Sequence, residues 1–458
     1  MSISAGRARH FDAVAADGDV LGHFEVHDAD AVRAVVEIGH EVAQVWSAAD
    51  SRARLKALRA WRGRLWRASA DIAGLLHRET GVELDDAMLD VVRVVEHLKW
   101  VESDAARVLG DTHRRGGLLS PDVSSTVGYA AEGVVGIVVD GRPSLYATFS
   151  AVTCALAAGN AVVLNPGRRL TATASAVVEA FVRPGVEGVL QLSTGDELSG
   201  VDLAGSTLDR LCYLGPPVGA VKYATAAARA MVPVTTVAVL PPITLIAPDG
   251  DVEAAARSVL VGAGDGEQEV FVAPVVREEF EAVLTGAAQH DEQARGRWAR
   301  ALSRGRTPRT PALGAAPGEA HGVPSSQGTT PSATPGVVVQ SAPAFDAVVD
   351  RVRAHPGAEV VVWSRRHGDR LAELLSAADV SVNPGLPARD GALPRAAIGV
   401  RGYGPFAGDD GLRTFARART TTARRRLPVP TRPVDLLLAT PGGRLAARLA
   451  MHLRHSLD

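Results

Sequence analysis

The residues that could do chemistry are few. Cys154 and Cys212 are the only thiols in the chain. A thiolate nucleophile needs access and a positive neighbour, but these cysteines sit in the apolar runs VTCALAA and RLCYLG with no CxxC spacing. They read as buried residues of a helix and a strand. Asp265, Glu267 and Glu269 crowd a glycine-rich turn and read as a solvated loop. Arg142, in DGRPS, is a cation that could hold an anion. His452 and His455 could share a helical face, but an isolated pair is not a metal site, and no metal is expected.

The elements that would position these residues centre on Gly133–Arg168. Val134–Val139 is a continuous β-branched run, the mark of a strand buried on both faces. Ser144–Ala158 is Ala-rich with helical spacing, Gly159-Asn160 stops it, and Ala161–Leu164 opens a second strand. Together they form one βαβ unit of an open α/β sheet. Upstream, residues 1–28 are loosely patterned. Helical patterns follow from about Asp28, from Asp50-Ser51 to Gly81, and from Glu83 to Val108. Downstream, helices are expected over Thr171–Phe181 and Val218–Ala230, and strands over 185–196, Leu208–Gly215 and Val232–Val239, the last closing this sheet.

The segments GVVGI (133–137) and ALAAGNAVVLNP (155–166) resemble the opening of the cofactor domain in the aldehyde dehydrogenase superfamily. Further likenesses extend this over nearly the whole chain. ITLIAPDGDVE (243–253) is similar to a PNIVxxDADLD passage, and RGYGPFAGDDGLRTFARART (401–420) to the closing SGxGxxxGxxGLxxFTxxK pattern. The resemblance implies an α/β fold with a Rossmann-type cofactor domain (1–110 and 133–240) and a second, catalytic-type α/β domain (241–404). That second domain carries a Pro/Gly-rich loop at 306–336. A small β oligomerisation element (111–132 and 405–430) and a basic amphipathic tail (431–458) complete the expected layout.

The family reaction needs a thiolate, a carboxylate base, an oxyanion donor and a nicotinamide cofactor, and each position is altered here. The nucleophile belongs in the interval 258–280, which holds no cysteine; one anchoring puts Phe271 there and the other Gly264. In VTTVAVLPP (234–242), Val237 stands for the base and Val239-Leu240 for two glycines beside the cofactor ring. Arg142 takes the oxyanion asparagine's place.

The adenosine-side lysine and acid become Asn165 and Arg168, and the serine at the pyrophosphate becomes Pro216. Ser332 aligns nearest to a ribose-binding glutamate. Gly195 and Gly215 remain at cofactor-side turns. Asn165, Arg168 and Arg169 read as solvent-exposed replacements, and no cofactor is expected. Arg168-Arg169 would favour NADP over NAD if a dinucleotide binds.

The leading expectation is a non-catalytic structural or regulatory subunit, a pseudoenzyme that pairs as a homo- or hetero-oligomer, in one case with an active homologue. The alternatives are an NAD(P)-dependent oxidoreductase without a covalent thiol step and a small-anion or metabolite binder anchored by Arg142. With 458 residues, 46% apolar and 22% charged, the chain can bury a large core, and its net charge of -2 argues against nucleic acid. No run approaches the roughly 18–20 apolar residues of a membrane span, and no secretory signal opens the chain, so a cytoplasmic location is expected. PGGRLAARLAMHLRH (441–455) reads as a short basic amphipathic helix for docking on the body, a partner or an anionic membrane.

Overall fold

The computed structural model describes residues 9–115, 123–141, 144–182, 185, 187–238, 242–262, 268–290, 329–331, 337–341, 345–354, 357–375, 377, 379–384, 392–398, 402–424 and 439–455. The loosely patterned start is a hairpin of β1 (His10–Val14) and β2 (Val20–Glu25). Its signal is the alternation in HFDAV, which buries Phe11 and Ala13. A helical layer follows: α1 (Ala29–Ala48), α2 (Ser51–Arg67), α3 (Ser69–Thr80) and α4 (Leu84–Val108). Asp28 and Asp50 cap α1 and α2 by accepting from Ala31 N–H and Arg52 N–H. The single pattern over 51–81 is two helices, broken at Ala68 with no glycine or proline to mark the break.

Next come β3 (Thr112–Arg115), β4 (Val123–Ala131), β5 (Val134–Val139), α5 (Leu145–Ala158) and β6 (Ala161–Asn165). All fourteen residues of α5 are buried. Small side chains let it lie between the helical layer and the sheet, so it needs no polar face. Ser144 caps its start and Gly159, at φ 99°, ends it in the left-handed conformation. Asn160 then ties the unit together. Its Oδ1 accepts from Glu132 and Gly133 N–H (2.7 and 3.0 Å), and its Nδ2 donates to the Ala155 and Phe415 carbonyls (3.0 and 2.7 Å).

The sheet continues through α6 (Thr171–Glu179), β7 (Leu190–Leu192), α7 (Glu197–Ala204), β8 (Arg210–Gly215), α8 (Pro217–Arg229) and β9 (Val234–Ala238). The strand expected over 185–196 contracts to three residues. Trp61, fully buried, packs edge-on against Phe149 and Phe181 and donates to the Val177 carbonyl at 3.0 Å. That contact fastens the helical layer to α5 and α6.

A second sheet is built from β10 (Ile243–Ile246), α9 (Val252–Gly262), β11 (Gln268–Val272), α10 (Arg277–His290), β12 (Thr329–Pro331), β13 (Val337–Ser341), α11 (Phe345–Ala354), β14 (Glu359–Trp363), α12 (Gly368–Leu374) and β15 (Asp379–Val382). Its strand order is β12-β13-β11-β10-β14-β15. The chain then returns as β16 (Arg395–Ala397) and β17 (Gly402–Phe406), and β17 pairs antiparallel with β9. The first sheet therefore does not close at β9; its order is β16-β17-β9-β8-β5-β6-β7. This pairing joins residues more than 160 positions apart, and nothing local announces it. After α13 (Gly408–Thr414), β18 (Ala416–Arg424) joins β4 and β3 in a three-stranded sheet, and α14 (Pro441–His455) follows.

Candidate functional site

From β5 the chain runs outward through β6 to β7, then crosses back to β8 and β9 on the other side of β5. Open parallel sheets bind ligands at such a reversal, beyond the carboxyl ends of the strands. The rim here is Asp140-Gly141 after β5, Asn165–Arg168 after β6, Ser193–Gly195 after β7 and Gly215–Pro217 after β8.

Tyr213 forms the floor. It is fully buried, stacks on Tyr223 at 4.9 Å, and donates to the Pro216 carbonyl at 2.9 Å. Burial first, and then the Asp140 carboxylate, push its phenol well above its ordinary range, which keeps it a donor. A Cβ at Gly215 would meet the Tyr213 ring 2.9 Å away and the Asp140 carbonyl at the same distance. At Gly195, φ is 148°, and a Cβ would come within 2.8 Å of the Ser199 Cβ. Protein packing alone therefore demands both glycines.

Asn165 corrects the expectation of an exposed replacement. It is 2% exposed, donates to the Ser193 carbonyl at 2.7 Å and accepts from Gly167 N–H at 3.3 Å, so it pins the ends of β6 and β7 together. Arg168 is exposed and lies 4.8 Å over the Phe11 ring, held by the hairpin that the sequence pattern had not revealed. Arg169 is exposed. Sequence reasoning also missed Glu79. Its buried carboxylate caps α6 by accepting from Ala172 N–H, Thr173 N–H and the Thr173 hydroxyl at 2.8, 2.8 and 2.6 Å.

Pro216 precedes α8, and Pro217 opens it without an N–H to donate. The Lys222–Glu197 ion pair joins α8 to α7.

The positions assigned to the reaction are dispersed. Phe271 is 4% exposed on β11, opposite Leu245 and Gln340, so that anchoring sets a loop position onto a core strand. Val237 lies on β9, paired with Leu214 and Gly402. Arg142, Gly264, Val239, Leu240 and Ser332 lie outside the described residues. Cys154 is buried in α5, 3.6 Å from His97, and Cys212 is buried in β8. Burial pushes the Cys212 thiol up to about 12 and raises the Cys154 thiol further.

At this rim Arg168 is an exposed cation, a group that suits a phosphate, whereas α8 begins on Pro216-Pro217, which have no N–H to offer an anion.

The aldehyde dehydrogenase family model matches residues 5–268, more than half of the chain. A succinate-semialdehyde dehydrogenase (NADP+) of Schizosaccharomyces pombe is 29% identical over 181 residues, which are 39% of this chain and 36% of that protein. The match thus spans well under half the length of that curated relative.

Among solved structures, the NADP-dependent glyceraldehyde-3-phosphate dehydrogenase of Bacillus halodurans, complexed with NADP, superposes with a TM-score of 0.76 at 18% identity, over 91% of this chain and 96% of that one. The Pseudomonas protein PnpE in complex with nicotinamide adenine dinucleotide gives 0.75 at 16%, over 92% and 96%. These neighbours share the fold and carry NADP or NAD, which overturns the expectation that no cofactor is involved. The matched family model and the shared two-sheet architecture lead to one conclusion: the chain belongs to the aldehyde dehydrogenase family.

Proposed function

We propose that this chain is a non-catalytic member of its family, one that takes up NADP at the β5/β8 crevice but does not oxidise aldehydes through a thiol. The observation that carries the reading is the state of its two cysteines. Both are core residues, 2% and 0% exposed, with thiols raised by burial, and the sequence offers no third. A nucleophile must reach substrate as a thiolate, and neither can. When bound, the dinucleotide supplies a hydride acceptor. This chain's own part is to meet its phosphate with Arg168, over a floor held by Tyr213. The retained β3-β4-β18 sheet, exposed along residues 417–423, supports a role as a structural or regulatory subunit in an oligomer.

The test is to titrate the full chain with NADP and NAD by calorimetry. Reduced cofactor is then followed with succinate semialdehyde before and after iodoacetamide. Saturable NADP binding with no turnover is the expected result. Turnover abolished by iodoacetamide sinks the proposal. Turnover indifferent to it would replace the proposal with an oxidoreductase that dispenses with the covalent step.

A further inference from the structure

The helix α14 plays no part in either open sheet. Leu445 and Leu449 are 60% and 52% exposed, and Arg444 and Arg448 are exposed beside them. The four-residue spacing puts the leucines on one stripe, and each arginine sits about 100° around the axis from its leucine. PGGRLAARLAMHLRH contains three arginines, two histidines and no acid.

This charge is local. From Ala416 to Asp458 the chain holds nine arginines and no lysine against Asp435 and Asp458, a net charge of +7 where the whole chain carries -2. The preceding 415 residues therefore stand at -9. Arg417 and Arg419 on β18 are likewise exposed.

We propose that α14 is a peripheral anchor that lies flat on an anionic lipid surface. Its leucines enter the acyl boundary and its arginines meet headgroup phosphates. Three observations select this occupant. Two solvent-exposed leucines in register need an apolar medium on one side only. The flanking arginines are long enough to bury their stems and keep their heads at the phosphate level. A helix with no acidic residue cannot pair with a copy of itself without setting like charges together. No described helix is long and apolar enough to cross a membrane, so the association is with the surface.

The experiment uses the full chain with two sets of vesicles, phosphatidylcholine alone and equimolar phosphatidylcholine and phosphatidylglycerol. Cosedimentation is expected only with the second set and should weaken as salt is added. The double variants L445Q/L449Q and R444Q/R448Q should each bind on the order of tenfold more weakly, with unchanged thermal midpoints because all four side chains are exposed. The wild-type comparison of the two vesicle sets stands without any variant. No binding to phosphatidylglycerol vesicles at low salt overturns the proposal, as does binding that both double variants preserve. Loss of an oligomer in the variants, seen by light scattering with no vesicle binding in the wild type, would make a second copy the occupant and equally reject it.

Discussion

The two open sheets reverse direction in the same way, and their crevices differ. In the second sheet the reversal falls between β10 and β14, and side chains stitch it shut. Asp249 accepts from the Ser364 hydroxyl and from Arg366 N–H, each at 2.8 Å. Asn383 accepts from Ser364 N–H at 2.8 Å and donates to the Ser364 carbonyl at 2.6 Å. In the first sheet the corresponding contact is Tyr213 donating to the Pro216 carbonyl at 2.9 Å, and Arg168 remains exposed at the rim. The same topology thus carries a seam of side-chain hydrogen bonds across the reversal of the second sheet, whereas in the first sheet Asn165 pins β6 to β7 beside the reversal and Arg168 stays exposed.

The largest expected effect tests the floor. Tyr213→Ala should cost about 3–5 kcal/mol in urea unfolding, by opening a cavity under the crevice. Tyr213→Phe should lose only about 1 kcal/mol. Equal losses would mean that the hydroxyl, not the ring, supports the rim.

Acid should separate the two cores next. Burial lowers the His97 imidazole to about 4, and His97 is the buried histidine among the described residues. Its folded pKa is depressed, so between about 6.5 and 4 the unfolded chain binds the extra proton and stability falls with pH, by about 3 kcal/mol in all. Hydrogen exchange should show α4 and α5 losing protection before β10 and β14, and His97→Leu should remove the difference. Simultaneous loss in both cores would break the distinction.

Asp249→Ala removes two hydrogen bonds from the seam and should cost about 2 kcal/mol, with NADP affinity unchanged in calorimetry. A change in affinity would couple the two crevices. The smallest structural effect belongs to Arg168→Gln. It should shift the unfolding free energy by less than about 0.5 kcal/mol yet weaken NADP about tenfold relative to NAD. Equal weakening of both cofactors would place Arg168 away from the 2′-phosphate.

Much of the first domain was legible because its signals are local. The β-branched run at Val134–Val139, the caps Asp28, Asp50 and Ser144, and the stops Gly81 and Gly159 all act within a few residues of where they stand. The hairpin over His10–Glu25 is the exception, because only the short run HFDAV alternates and residues 1–28 otherwise read as loosely patterned. The reading of Asn165 as exposed failed because its partner Ser193 lies 28 positions on. The break at Ala68 has no breaker residue, so packing of α3 against α4 and α6, not propensity, decides it.

The cysteine count, the strand and helix types and the charge segregation toward 416–458 were thus properties of the sequence alone, since composition and short-range periodicity carry them. Three things needed the tertiary structure: the return of β17 to β9, the seam of Asp249 with Ser364 and Asn383, and the carboxylate of Glu79 over α6. In each, a hydrogen-bonding group finds a partner nineteen or more, and in places over a hundred, positions away. Chain topology selects that partner, and no local preference encodes it.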